Sequence, residues 1–288
     1  MSEPFFNQVT IVGVGLIGAS CALALKGRGL CGTVCGYGRT EANLSQAKER
    51  GIIDEYTLEI AKACEHADLV ILSTPVGLFK KLLNEVRGAL KVNTLVTDVG
   101  SIKGPLVPEL EALMPEGVHY VGSHPIAGSD RSGIAHARAD LFEGAQCIVT
   151  PTSRSDDKAV RKIISIWELF GGNVEIMDPM LHDDIYAAVS HLPHLIAYAL
   201  VNTVDGSNTE YLKYAGPGFK DTTRIALSSP ELWRDIALLN GDNLIALIER
   251  FGSNLDLIAS MIKNADAAGL EHEFSKARAL REKLGHRS

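Results

Sequence analysis

Short apolar runs punctuate the first half of the chain, at 8–13 (QVTIVG), 32–37 (GTVCGY), 69–73 (LVILS), 94–97 (TLVT), 119–122 (HYVG) and 146–150 (QCIVT). Runs this short, set between turn residues, mark strands buried on both faces. Between them apolar positions recur at helical spacing over 17–28, 41–50, 78–90 and 105–113, and a helix at 157–169 and a strand at 173–177 extend the series. Strand and helix in alternation predict an α/β domain whose parallel sheet is doubly wound, with helices on both faces.

The pattern changes after Asp178. No strand signal remains. Residues 181–204 read as a long apolar helix interrupted at Pro193, and 230–239 and 243–264 as two more helices. The last of these is apolar on more than one side, through Leu244, Ile245, Ile248, Phe251, Leu255 and Ile258. Such a helix needs burial all round, and a second copy of the chain would supply it. The sequence therefore predicts an α/β domain over 1–177 and an all-helical domain over 178–288 that forms a homodimer.

Composition narrows the classes. Of 288 residues 46% are hydrophobic and 22% charged, and the net charge is −7. This balance fits a globular protein and argues against nucleic acid or a membrane surface as partner. An anionic substrate would need a local cluster of positive groups. The five cysteines are odd in number and form no C-x-x-C pair, so reduced thiols in a cytoplasmic protein are expected rather than disulfides or zinc. The opening MSEPFFNQ has no basic segment, which predicts no signal peptide, and no run is long enough to span a bilayer.

The first strand runs into Gly13-Val14-Gly15-Leu16-Ile17-Gly18, and a helix follows. This is G-x-G-x-x-G in the context that makes the pattern specific. Gly13 permits the tight turn, Gly15 leaves room for a pyrophosphate, Gly18 lets helix and strand pack closely, and the helix N-terminus offers free N–H groups. A Rossmann-type dinucleotide site results, with Leu16 and Ile17 on the loop and Ser73, Thr74 and Pro75 lining the cleft from the third strand end. An acid that selects NAD usually stands about 20 residues further on. Here that point is Gly38, followed by Arg39 and Thr40. Without a carboxylate to repel a 2′-phosphate, NAD or NADP is expected, NADP slightly favoured.

Two more strand ends carry chemistry, 97–104 (TDVGSIKG) and 122–130 (GSHPIAGSD). Removing hydride from an alcohol requires a base for the hydroxyl proton, and a histidine beside the cofactor suits that task. His124 is the candidate, with Ser101 either hydrogen-bonding the same hydroxyl or capping a helix that starts at Ile102. Further on, His191 and His194 flank Pro193 at a spacing that shares a helix face. A metal pair is the weaker reading, because no further ligand completes a zinc set. Arg224 follows a Gly-Pro-Gly loop and suits a carboxylate, whereas Arg234 beside Asp235 reads as a structural pair.

Taken together, GVGLIGAS, ILSTPV, DVGSIKG, GSHPIAGSD, SHLPH, GPGFKDTTRIA and WRDI resemble, in order and over nearly the whole chain, the prephenate/arogenate dehydrogenase family of tyrosine biosynthesis. The resemblance implies oxidative decarboxylation of the dianion prephenate to 4-hydroxyphenylpyruvate, or of arogenate to tyrosine. It implies that His124 is catalytic and Ser101 supports it. His191, His194, Arg224 and Trp233 fall at substrate positions, Asp130 at an acidic position linked to gating and substrate choice, and Lys220 and Asp221 at supporting ionic positions. Other dehydrogenases with a helical second domain use a lysine in G-x-x-x-N-K, which is absent here. A nucleotide sensor without catalysis would have lost His124 or Arg224, and both are present.

Overall fold

The computed structural model describes residues 5–128 and 133–284. Strands β1 (Phe6–Val12), β2 (Cys31–Tyr37), β3 (Glu55–Thr57), β4 (Leu69–Leu72), β5 (Leu95–Asp98), β6 (His119–Pro125), β7 (Gln146–Thr150) and β8 (Asn173–Ile176) form one sheet. Its order is β3-β2-β1-β4-β5-β6-β7-β8. Order reverses between β1 and β4, and the carboxyl ends of those two strands open the crevice where a doubly wound sheet takes its ligand. Helices α1 (Leu16–Gly27), α2 (Glu41–Glu49), α3 (Ile60–Cys64), α4 (Phe79–Val86), α5 (Leu106–Leu113) and α6 (Asp157–Leu169) connect the strands.

Side chains alternate between the two faces of each strand. From β1 and β4, Val9, Ile11, Leu69 and Ile71 enter one apolar core, while Val12, Val70 and Leu72 enter the other. The first core holds Phe142, Trp167 and Phe170, whose ring centroids lie 5.3–5.6 Å apart. Each aromatic pair adds about 0.5–1.5 kcal/mol beyond its burial. Both faces are thus filled, as the continuous apolar runs require.

Three differences from the sequence reading have physical causes. The sheet is not wholly parallel: β7 runs antiparallel to β6, pairing Ser123 with Val149 and His124 with Ile148. A parallel return needs a crossover, usually a helix, and the described part of the β6–β7 link has only a short 3-10 turn at Ile134–His136. The strand β3 and helix α3 were not anticipated; they are three and five residues long, too short for a periodic signal.

Third, Pro193 does not interrupt the helix. Helices α7 (Pro179–Tyr186) and α8 (Leu192–Ser207) join through a π turn at Ala187–His191. The widened turn places Pro193 in the first turn of α8, where its missing N–H and its ring are tolerated. Helices α9 (Pro217–Thr223) and α10 (Pro230–Leu239) follow.

Residues 1–240 make one compact unit and 241–288 a second. The second consists of α11 (Gly241–Lys263) and α12 (Ala267–Leu284). Ile245, Ile248, Leu255, Leu257 and Ile262 of α11 are exposed in the single chain. No helix among the described residues is long and apolar enough to cross a membrane.

Candidate active site

The turn after β1 is built by its glycines. Gly13 has φ +102°, in the left-handed region, and its N–H donates to the Tyr37 carbonyl at 2.8 Å. A Cβ at Gly18 would lie 2.3 Å from the Gly13 carbonyl oxygen and from Ser73 Oγ, so this position carries the close approach of α1. A Cβ at Gly15 would meet nothing within 4 Å. Gly15 caps α1 without a side-chain hydrogen bond, leaving the first-turn N–H groups for an anion. This cradle fits a pyrophosphate.

The cleft above it has a volume of about 490 Å³. It is lined by Gly13 and Gly15, by Gly38, Arg39 and Thr40 after β2, by Ser73, Thr74 and Pro75 after β4, and by Leu78, Lys81 and Leu82. Leu16 and Ile17 do not line it; both pack inward against the core. Gly18 stands behind the loop rather than in the cleft. Arg39 and Lys81 bring two cations to the cleft, and Glu85 on α4 one carboxylate.

A second cavity, of about 610 Å³, lies at the ends of β5 and β6. The parallel register of β4, β5 and β6 puts their carboxyl ends, and hence cleft and cavity, on one edge of the sheet. Ser101, His124, Tyr186, His194, Arg224 and Trp233 line it. Ser101 caps no helix, since α5 starts only at Leu106, so its hydroxyl is left to the cavity. The ring of His194 stacks on Trp233 at 3.6 Å, and its Nδ1 lies 2.9 Å from the Ser190 carbonyl, which accepts only from Nδ1–H. Burial, outweighing the Ser190 carbonyl, lowers the His194 pKa.

His191 is elsewhere. It is buried, 1% exposed, and does not line the cavity. Its Nδ1 accepts from Asn240 Nδ2 at 3.1 Å, so a neutral ring carries its proton on Nε2, for which no hydrogen-bond partner stands among the described residues. Its pKa is pushed down to about 4, chiefly by burial. Asp130 lies outside the described residues. Lys220 and Asp221 are exposed on α9, and Arg234 pairs with Asp235 at 2.6 Å. Among the described residues, no cluster of three or more His, Cys, Asp or Glu side chains could hold a metal ion.

The structure adds residues that sequence reading missed. His124 Nδ1 lies 2.9 Å from His182 Nε2, and His182 Nδ1 lies 2.8 Å from Asp183 Oδ1. Asp183 also accepts the backbone N–H groups of Lys103 and Gly104, each at 2.8 Å. Burial pushes the His124 pKa well below the usual imidazole value, helped by His182, Lys103 and His191 nearby. Burial lowers the His182 pKa as well, against the pull of Asp183. Adjacent His and Asp on a polar helix turn give no local signal of this; contact across 58 residues of sequence creates it.

A dinucleotide cleft beside a cavity holding a neutral histidine and an arginine defines a nicotinamide-dependent oxidoreductase. The chain belongs to the prephenate dehydrogenase family: its nucleotide-binding domain family matches residues 21–176 and its dimerization domain family residues 178–276. The cyclohexadienyl dehydrogenase of Zymomonas mobilis is 34% identical over 280 residues, 96% of this chain and 95% of that one. The prephenate dehydrogenase of Bacillus subtilis is 33% identical over 96% of this chain and 76% of its own length. The crystal structure of the Aquifex aeolicus prephenate dehydrogenase with hydroxyphenyl propionate and NAD+ is similar at a TM-score of 0.90 and 39% identity, covering 99% of both chains.

Proposed function

We propose that this protein oxidatively decarboxylates prephenate to 4-hydroxyphenylpyruvate. The observation that carries the reading is the placing of His124 and Arg224 in one cavity at the sheet edge that also holds the dinucleotide cleft. The nicotinamide, when bound, supplies the hydride acceptor. Arg224 holds a substrate carboxylate through paired N–H donors, and Ser101 orients the ring hydroxyl. His124 takes the hydroxyl proton on Nε2, its Nδ1 being engaged by His182. The ring carbon becomes a carbonyl as its hydride leaves. The electrons of the carboxylate bond then flow into the ring, carbon dioxide departs, and the oxygen regains a proton as a phenol.

Arogenate is the second substrate reading, favoured by the likeness to a cyclohexadienyl dehydrogenase. Asp130, which falls at the acidic position of the family motif, is our candidate for tipping that choice. NAD and NADP are both proposed as cofactors, NADP slightly favoured by Arg39 and Thr40. We assign residues 1–177 to the nucleotide and 178–288 to substrate and dimer formation; the exposed apolar residues of α11 suit a homodimer. Five free thiols suit the reducing cytoplasm.

Assays of both substrates against both cofactors test the reading, with His124→Asn and Arg224→Gln alongside. The first variant should lower kcat about 10²–10⁴-fold with cofactor affinity kept. The second should raise substrate KM about 10–100-fold through loss of a charge-assisted hydrogen bond. Inertness of the parent protein towards both substrates would refute the proposal.

A further inference from the structure

The chain of contacts from Asp183 to His124 has a definite proton order. Asp183 Oδ1 is a carboxylate oxygen already accepting the Lys103 N–H, so it accepts from His182 Nδ1–H. A neutral His182 then presents Nε2 as an acceptor, and only His124 Nδ1–H can donate to it across 2.9 Å. The lone pair of His124 is left on Nε2, and His124 lines the cavity. We propose that Asp183 and His182 are positioning residues that fix the tautomer of His124 and so make Nε2 the basic atom of the site. The order is held from both ends: backbone N–H groups of Lys103 and Gly104 clamp both Asp183 oxygens, and the Gly104 Cα sits so close that a Cβ there would lie 2.9 Å from Oδ2.

The catalytic consequence rests on the proposed function; the tautomer does not. When a hydroxyl proton arrives at His124 Nε2, the Nδ1 proton can pass to His182 Nε2. The positive charge then stands on His182, in contact with the Asp183 carboxylate. No proton or electron is left over. The other charged and titratable groups around the pair are Asp98 and Lys103 from β5 and its loop, Tyr186 on α7, His191 on the π turn and Cys147 on β7. Tyr186 packs its ring against both histidines, with centroids 5.1 and 4.5 Å away.

Long-range proton–nitrogen correlation spectra of the full-length protein, labelled with nitrogen-15 at histidine, read the tautomer without substrate or turnover. His124→Asn assigns the signals. The parent protein at neutral pH should show His124 protonated on Nδ1 and bare on Nε2. Asp183→Asn offers an N–H₂ where His182 needs an acceptor or Gly104 needs one, so His124 should appear in both tautomers. In turnover, kcat should fall on the order of 10²–10⁴-fold while cofactor affinity stays within a few-fold. His182→Gln keeps a carbonyl able to accept from Nδ1–H and should retain the tautomer; His182→Leu should lose it. A parent protein with the proton on Nε2, or an unchanged tautomer in both Asp183→Asn and His182→Leu, would overturn the proposal. If Asp183→Asn fails to fold, the His182 pair decides alone. A correct tautomer in a protein inert towards both substrates would count against the function and leave this inference standing.

Discussion

Lys103 donates its ammonium to the Asp98 carboxylate with both side chains closed off from solvent, at 0% and 1% exposure. The pair spans the loop that carries Ser101. Asp98 also accepts the Gly100 N–H at 2.8 Å and the Tyr120 hydroxyl at 2.7 Å. Burial, with Asp98 second, raises the Tyr120 pKa well above its usual value, which keeps the phenol a donor. Removing one partner of such a pair strands the other charge in the interior, at about 3–5 kcal/mol. Lys103→Met should therefore lose most of that in urea unfolding. Lys103→Met with Asp98→Asn should recover part of it, because no charge is left unpaired. A double variant no more stable than Lys103→Met would show that the pair is not the unit of stability here.

Acid should weaken this protein earlier than its carboxylates alone predict. Burial holds the pKa values of His124 and His182 low, and that of His191 down to about 4. Above roughly pH 6.5, the ordinary imidazole value, these rings are neutral folded or unfolded and cost nothing. Below it the unfolded chain binds protons that the folded one refuses, so stability falls as pH drops. For His191 alone the loss accumulates between about 6.5 and 4, on the order of 3 kcal/mol. His191→Asn should flatten that part of the curve of unfolding free energy against pH. By the same depression of His124, the acid limb of kcat/KM should lie below pH ~6.5.

The glycine loop was legible because its demands are local: a positive φ, a close approach and a helix start all fall within six residues. The apolar runs were legible because a sheet covered on both faces fills most of its strand positions with apolar side chains, while the buried polar ones, such as Asp98 and Ser123, need partners brought by other strands. His182, Asp183 and Lys103 were not legible as site residues, because their partners arrive from elsewhere in the fold. His191 differs from His194. Its motif pointed to the substrate pocket, but it lies in the π turn, does not line the cavity, and takes a hydrogen bond from Asn240. The register of a helix with one extra residue in a turn cannot be counted from 3.6-residue spacing.

Gly15 and Gly18 should separate cleanly on substitution by alanine. The methyl of Gly15→Ala meets, beyond its chain neighbours, no atom of the described residues within 4 Å, so the melting temperature should hold while dinucleotide affinity drops as the methyl enters the phosphate site. The methyl of Gly18→Ala would lie 2.3 Å from two oxygens and 2.8 Å from Ile11. Here α1 must shift away from β1, and overpacking of this kind costs about 1–3 kcal/mol. Thermal unfolding and cofactor titration of both variants check the contrast. Equal losses of stability would mean that the loop does not divide the two tasks in this way.

Gly38 offers a direct lever on cofactor choice. It stands at the end of β2 beside Arg39, and the atoms nearest to a Cβ there would be those of Leu44 at 3.4–3.8 Å, ordinary van der Waals distances. Gly38→Asp should therefore fold normally and place a carboxylate where it would accept a hydrogen bond from a ribose 2′-hydroxyl. A 2′-phosphate would meet like charge in the same place. Kinetics with both cofactors should show the NADP KM rising about 10-fold or more, the equivalent of 1.4 kcal/mol, while the NAD KM falls or holds. Arg39→Ala should weaken NADP alone, since it removes the nearby cation without adding a negative charge. If both variants change the two KM values in parallel, Arg39 serves the adenine that the cofactors share, and the 2′ position is read elsewhere in the cleft.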